Sequence, residues 1–175
     1  QTWPNMDLLG ACWMIRSLEQ SVASVSFDEQ NNLVAGGWDG QIRKWNSDGD
    51  LLWSEELPDR ITEIIFHKNQ IILTSGLHIV NLNAETGQIN WQHPLEGSAD
   101  SAIVEDDEIY VTSSVYDIEH NDFLESAIWK YSLEGEQRWV IKMNERPWFI
   151  ISHQSKILVG LGRPMSGWGE ILTEG

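Results

Sequence analysis

Asn81-Leu82-Asn83-Ala84-Glu85-Thr86-Gly87-Gln88-Ile89-Asn90-Trp91 is the stretch on which the fold turns. A short apolar run ends at a Thr-Gly turn, and a tryptophan follows four residues after the glycine. The same offset returns at Gly49 and Trp53, and at Gly135 and Trp139. A self-similarity of about forty residues marks a repeat architecture. Four short strands per unit, each unit closing on a tryptophan, predict a β-propeller, whose working parts are its loops.

Working outward, each unit opens with a first strand: Val22–Phe27, Ile61–Phe66, Ala102–Val104 and Phe149–Ile151. Polar turns follow at 28–32, 67–70, 105–108 and 153–156. Denser apolar strands come next, at Leu33–Ala35, Ile71–Thr74, Ile109–Thr112 and Ile157–Val159. Runs this short and this apolar suit strands buried on both faces. The third strands carry Ile42/Trp45, Ile79/Leu82, Ile128/Tyr131 and Ile171. From Leu33 to Ile71, Ile109 and Ile157 the steps are 38, 38 and 48 residues. The extra length sits between the second and third strands of the third unit, from Ser113 to Glu125. An insertion of this kind is expected as a loop on the binding face.

The expected architecture is therefore all-β: a propeller, or a segment of one, with about four blades of four antiparallel strands. A blade tail covers residues 1–20, blades cover 21–57, 58–97 and 98–145, and a partial blade covers 146–175. Trp13, Leu18 and Phe27 copy the spacing of Trp53, Leu57 and Phe66 with one residue added, so Leu8–Leu18 is expected as a fourth strand. Glu170–Gly175 ends at the turn where another fourth strand would begin. A four-blade ring closed by pairing the two ends, a cut-out of a longer propeller, and a two-chain ring all fit. The absent start methionine and the stop within a hairpin favour the second.

Eleven basic and 27 acidic residues give a formal charge of −16. That balance argues against nucleic acid and anionic membrane as partners, and no apolar run reaches membrane-spanning length. Cys12 is the only cysteine, so an intrachain disulfide is excluded. The compartment stays open, with the cytoplasm slightly favoured. Most of the ten tryptophans fall at matching repeat positions and read as packing between blades, with Trp53, Trp91 and Trp139 expected to be buried there. Trp38, Trp148 and Trp168 fall outside the repeat and are expected to be exposed.

Two propeller patterns meet in the chain. Val34-Ala35-Gly36-Gly37-Trp38-Asp39-Gly40-Gln41-Ile42-Arg43-Lys44-Trp45 resembles the last half of a WD repeat. The stretch ending at Trp91 resembles the quinoprotein-type repeat, whose tryptophan locks one blade to the next. The chain is thus similar to the quinoprotein-like and WD-like propellers, over nearly its whole length. The Gly-His and terminal Trp-Asp dipeptides of strict WD repeats are missing, so that family's hydrogen-bond network does not carry over. The resemblance includes dehydrogenases that hold a quinone and calcium, usually against adjacent cysteines. A chain with one cysteine is not expected to do so.

No Ser-His-Asp order, zinc spacing or phosphate-cradling glycine loop is visible. His67 and His153 sit in turns without a visible catalytic partner. The acidic insert lacks the glycine and ligand rhythm of an EF-hand loop, so no metal is expected there. Gly36, Gly37, Gly160 and Gly162 read as tight strand positions near the ring axis. The strand-two-to-three connections and the blade-to-blade links lie on one face of a propeller. They carry Trp38, Asp39, His78, the Tyr116–Glu125 insert with His120, Arg146, Trp148, Arg163, Met165 and Trp168. Arginines and aromatics on an acidic chain resemble the residue mix of interface hot spots. Trp38, His78, Tyr116, His120, Arg146, Trp148, Arg163 and Trp168 are the expected partner-binding residues. Asp59, Arg60, Asp100 and Arg146 also read as salt bridges between blades. The expected function is a non-catalytic scaffold for a protein or peptide, without a cofactor. The rivals are a quinoprotein-like enzyme and a subunit that self-associates through its terminal strands.

Overall fold

The computed structural model describes Cys12 and residues 14–162. Strands β1 (Val22–Phe27), β2 (Leu33–Gly37), β3 (Gln41–Trp45) and β4 (Leu51–Glu56) form one antiparallel sheet in sequence order. Strands β5 (Ile61–His67), β6 (Gln70–Ser75), β7 (His78–Asn83) and β8 (Ile89–Pro94) form a second. A third holds β9 (Ser98–Glu105), β10 (Glu108–Asp117), β11 (Asp122–Ser132) and β12 (Gln137–Met143). Strands β13 (Arg146–His153) and β14 (Lys156–Gly162) pair as a hairpin. The first strands pack side by side, β1 on β5, β5 on β9 and β9 on β13, so the blades fan out from them. The chain is an all-β propeller of sequential blades.

The core lies between blades. Ile71 and Leu73 of β6 face the first seam with Val34, Ile42 and Trp53, while Ile72, between them in sequence, faces the second with Ile109 and Val111. Successive side chains on a strand point to opposite faces, so a strand packed on both sides must be apolar throughout. That accounts for the dense second strands. The first seam is closed by Trp53, whose indole Nε1 donates to the Ala84 carbonyl at 3.1 Å. Trp91 repeats the contact one blade on, donating to the Leu133 carbonyl at 2.8 Å. Each ring lies on the turn glycine of the next blade. Gly87 (φ +76°) has the Trp53 ring 2.7 Å from where a Cβ would stand, and Gly135 (φ +90°) has Trp91 at 2.8 Å. Left-handed backbone and a ring at that distance both demand glycine.

Trp139 departs from the expectation of burial. Trp53 is 8% exposed and Trp91 half-buried, but Trp139 is 37% exposed. A blade's tryptophan is covered by the turn after the third strand of the next blade. The described part of the fourth sheet stops at Gly162, before such a turn, and Trp139 leans on its own sheet at Tyr110 instead (6.0 Å). The expected strand over Leu8–Leu18 is not present over residues 14–18, and the rest of it lies outside the described residues. There the link to the first blade is a side chain, because Arg16 Nε donates to the Gly49 carbonyl at 2.6 Å. His93 contacts the Gly135 carbonyl in the same manner at 2.7 Å. The third-strand position at Ile171 and the segment Glu170–Gly175 also lie outside the described residues.

One regularity escaped the sequence. All four first strands carry a register shift at the same place, beside Ala23, Thr62, Asp100 and Trp148. A bulge re-aims the side chain it extrudes. In the second and third blades a threonine on the adjoining strand collects the N–H that follows: Thr74 Oγ1 accepts from Glu63 at 3.0 Å, and Thr112 Oγ1 from Ser101 at 3.1 Å. The first and fourth blades have Gly36 and Gly160 at the threonine position. A Cβ there would stand 2.6 Å from Ile61 and 2.3 Å from Phe149, so close approach does explain these two glycines.

Candidate functional site

The strand-two-to-three turns and the blade-to-blade links interlock on one face. Leu57 N–H donates to Gly40 O (2.9 Å), Gly76 N–H to Arg60 O (2.9 Å) and Leu95 N–H to Leu77 O (2.7 Å). This is the loop face. The first-to-second and third-to-fourth turns make up the opposite face, where Ala84 N–H reaches Asn69 O (3.1 Å).

The insert expected as a loop is a β-arm. Strands β10 and β11 continue past the sheet, pairing Val115 with Glu125, Tyr116 with Phe123 and Asp117 with Asp122. Neither Ser113-Ser114-Val115-Tyr116-Asp117 nor Asp122-Phe123-Leu124-Glu125-Ser126 alternates strictly, so the only strand signal in the insert is its β-branched and aromatic residues Val115, Tyr116 and Phe123. A bulge at Leu124 bends the arm, and Ile118 at its tip is 85% exposed.

Arg146 and Trp148 of β13 meet the arm. The Arg146 guanidinium lies 4.0 Å from the Phe123 ring centre and 3.9 Å from that of Trp148. Phe123 packs edge-on against Tyr116 at 5.1 Å and against Trp148 at 6.4 Å. Asp100, extruded by the bulge in β9, grips the same guanidinium with contacts of 2.5, 3.2 and 3.3 Å. Ser114 Oγ donates to the other side of that carboxylate at 2.5 Å. A planar cation packed against two rings and gripped along one edge by a carboxylate has little freedom left. The result is a rigid platform of Tyr116, Phe123, Arg146 and Trp148, with Tyr116 46% and Trp148 42% exposed.

The expected site residues therefore separate into two groups. Tyr116, Arg146 and Trp148 come together at the third seam. His120 sits on the turn of the arm, its Nδ1 3.1 Å from Asp117. The backbone N–H of His120 also bonds Asp117, and with the ring contact it holds that carboxyl below the usual range. Trp38 lies at the first seam, 55% exposed, under the Arg60 guanidinium at 4.5 Å. His78 begins β7, half-buried, with a buried Nδ1 that has no partner among the described residues. Arg163 and Trp168 lie outside the described residues. Arg60 immediately precedes β5 and Arg146 opens β13, and each covers an aromatic ring of the preceding blade. The sequence reading of Asp100 and Arg146 as a salt bridge between blades holds at 2.5 Å, whereas Phe123 was not singled out from the insert.

On the opposite face the unexpected feature is a buried ion pair. Lys44 Nζ lies 2.9 Å from Asp28, with side chains 7% and 8% exposed, and it also donates to Ala84 O at 2.9 Å. His67, read as lacking a partner, is 2.6 Å from Asp107, which Lys68 also reaches at 2.7 Å. The Lys44–Asp28 pair lies within the first blade, whereas the Lys44–Ala84 and Asp107 contacts link one blade to the next.

A family profile described as outer membrane protein assembly factor BamB matches residues 10–114 and, in an overlapping window, residues 39–163. The chain belongs to this family. Its fold is that of quinoprotein-like and WD-like propellers. The structure of BamB from Moraxella catarrhalis superposes with a TM-score of 0.66 at 14% identity, over 85% of this chain and 48% of that one. The WD40 domain of Neurospora crassa Pan2 gives 0.62 at 11% identity, over 82% and 44%. A computationally designed protein, Ika4, gives 0.72 at 12% identity, over 93% and 96%. At these identities the likeness is one of fold alone, and the chain spans about half the length of the BamB structure. No curated protein matches the sequence.

Proposed function

We propose that the chain is a non-catalytic propeller scaffold that binds a protein or peptide partner on its loop face, at the third seam. The observation that carries this reading is the platform of Tyr116, Phe123 and Trp148 around an immobilised Arg146. Aromatics held rigid and half exposed lose little conformational entropy when a partner covers them, which is the property of interface anchors. Ile118 adds apolar area at the arm tip. Arg146 acts as a positioning residue, since Asp100 already neutralises it. The family profile's description as an assembly factor fits a binding role.

The test is affinity for a captured partner. Tyr116→Ala with Trp148→Ala is expected to weaken binding by about 2 kcal/mol or more. Asp106→Lys and Glu29→Lys, on the opposite face, should leave it nearly unchanged. The reverse pattern refutes the assignment, and a quinone absorbance in the purified protein refutes the non-catalytic role.

A further inference from the structure

The β-arm leaves an unfinished edge. Strand β12 stops at Met143, opposite Ser126, while β11 runs on to Asp122. Asp122–Glu125 therefore has β10 on one side and no strand on the other among the described residues. A groove of about 350 Å³ lies at this step, lined by Val115, Glu125, Ser126, Lys142, Met143 and Glu96. Ser126 is 5% exposed, and its hydroxyl, buried in the lining, has no hydrogen-bond partner among the described residues. A buried hydroxyl without a partner costs stability unless something outside the fold supplies one.

We propose that this edge takes an extended basic segment of another protein, which adds as a strand along Asp122–Glu125 in line with β12. The inference rests on the scaffold reading above and names the chemistry of its partner. Main-chain pairing on a bare edge supplies affinity, and the side chains beside it supply selection. Here those side chains are acidic: Glu96 and Glu125 in the groove, with Asp117, Glu119 and Asp122 on the arm. Lys142 is the one cation of the lining, and Glu96 already holds it at 2.7 Å. That contact first, and Glu125 after it, keep the lysine's pKa above its ordinary value. Glu125 thus has charge to offer a second cation. Two copies of this edge repel each other, so the acidity that attracts a basic strand also guards against pairing between identical chains. Leu124, bulged out of the ladder and 39% exposed, offers an apolar contact beside the charges.

The probe is a labelled nonapeptide of alternating lysine and valine, titrated by fluorescence anisotropy into the whole protein. Controls are the same peptide N-methylated at alternate residues and an alternating glutamate-valine peptide. Amide shifts read by NMR locate the contact. The expected result is binding that moves the amides of 122–125, weakens about tenfold or more with Glu125→Lys, and is lost with the N-methylated and acidic peptides. Equal binding of the N-methylated peptide, or shifts confined to other blades, would overturn the strand addition. So would a doubled mass in solution abolished by Glu125→Lys, which would make a second copy the occupant. A captured partner whose affinity falls with Trp148→Ala but not with Glu125→Lys sinks this inference and leaves the scaffold reading standing. Peptide addition at 122–125 with a partner indifferent to Trp148→Ala does the opposite.

Discussion

Trp53 and Trp139 hold the same place in their blades, four residues after the turn glycine, yet they meet different surroundings. Trp53 is enclosed: Gly87 of the next blade lies under its ring and the Ala84 carbonyl takes its N–H. Among the described residues Trp139 has neither contact, and it is 37% exposed. The position creates the opportunity for burial, and the neighbouring blade supplies it. In a repeat fold stability is a sum of units and of the interfaces between neighbours, so a residue's worth is set across the seam.

The sharpest way to break that comparison is to truncate both. Trp53→Ala should cost about 3–5 kcal/mol, as for other emptied aromatic core sites. Trp139→Ala should cost about 1 kcal/mol or less, because so much of its surface is already in water. Denaturant unfolding of the two variants decides it. Equal losses would mean that Trp139 is covered in solution.

The next contrast is between buried and exposed charge on the turn face. Lys44→Met leaves Asp28 buried without its cation and should cost about 3 kcal/mol at neutral pH, within the range for breaking one side of a buried pair. Burial alone would raise the Asp28 pKa, but hydrogen bonds from Lys44 and Asn32 outweigh it and hold it below 3.8. A depressed folded pKa contributes stability above that value, lost as pH falls through the folded one. In the variant the burial penalty stays without the lysine's contribution, so Asp28 takes up its proton at a higher pH than in the parent and the deficit should narrow on acidification. A deficit that stays constant from pH 7 to pH 3, measured by urea unfolding, would refute this account.

These contrasts bear on what was legible in the residues. The blade strands, the seams and the Trp–Gly lock could be read because each depends on spacing along the chain and recurs. Trp38 and Trp148 were legible as exposed because they break that spacing. The platform was not. Asp100 and Arg146 were legible as a salt bridge between blades but not as the clamp of an aromatic platform, because a bulge in β9 turns the Asp100 side chain out and no single residue type announces a bulge. Phe123 was hidden in an insert read as a loop, where adjacent apolar pairs among charged residues show no strand alternation. Asp28 sits in an apparently ordinary polar turn and Lys44 in β3, and only the fold shows that they meet and that Ala84 of the next blade closes over the lysine.

Glycine at the turns gives a smaller contrast. Gly87→Ala and Gly135→Ala should each cost about 1–3 kcal/mol, combining left-handed backbone with a ring that has no room to retreat. Gly49→Ala shares the positive φ, but what it would meet is the Arg16 guanidinium, the far end of a flexible side chain. Its cost should stay near the backbone strain alone, about 1 kcal/mol. Thermal unfolding of the three variants ranks them, and a Gly49→Ala loss as large as that of Gly87→Ala would show Arg16 to be as firmly held as Trp53.

The smallest expected effect separates the two arginine–aromatic pairs of the loop face. Arg146 has two rings against it at 4.0 and 3.9 Å and an almost fully buried carboxylate at its edge. Arg60 has one ring, Trp38, at 4.5 Å, and that ring is 55% exposed. A cation–π contact in water is worth about 0.5–1 kcal/mol, and about 2 when desolvated. A double-mutant cycle with Arg60→Ala and Trp38→Ala should therefore return a coupling of about 0.5 kcal/mol, while Arg146→Ala with Phe123→Ala should return about 2. High salt should change neither coupling much, since the attraction is to a ring face. A larger coupling at Trp38 than at Phe123 would move the rigid platform, and with it the proposed binding site, from the third seam to the first.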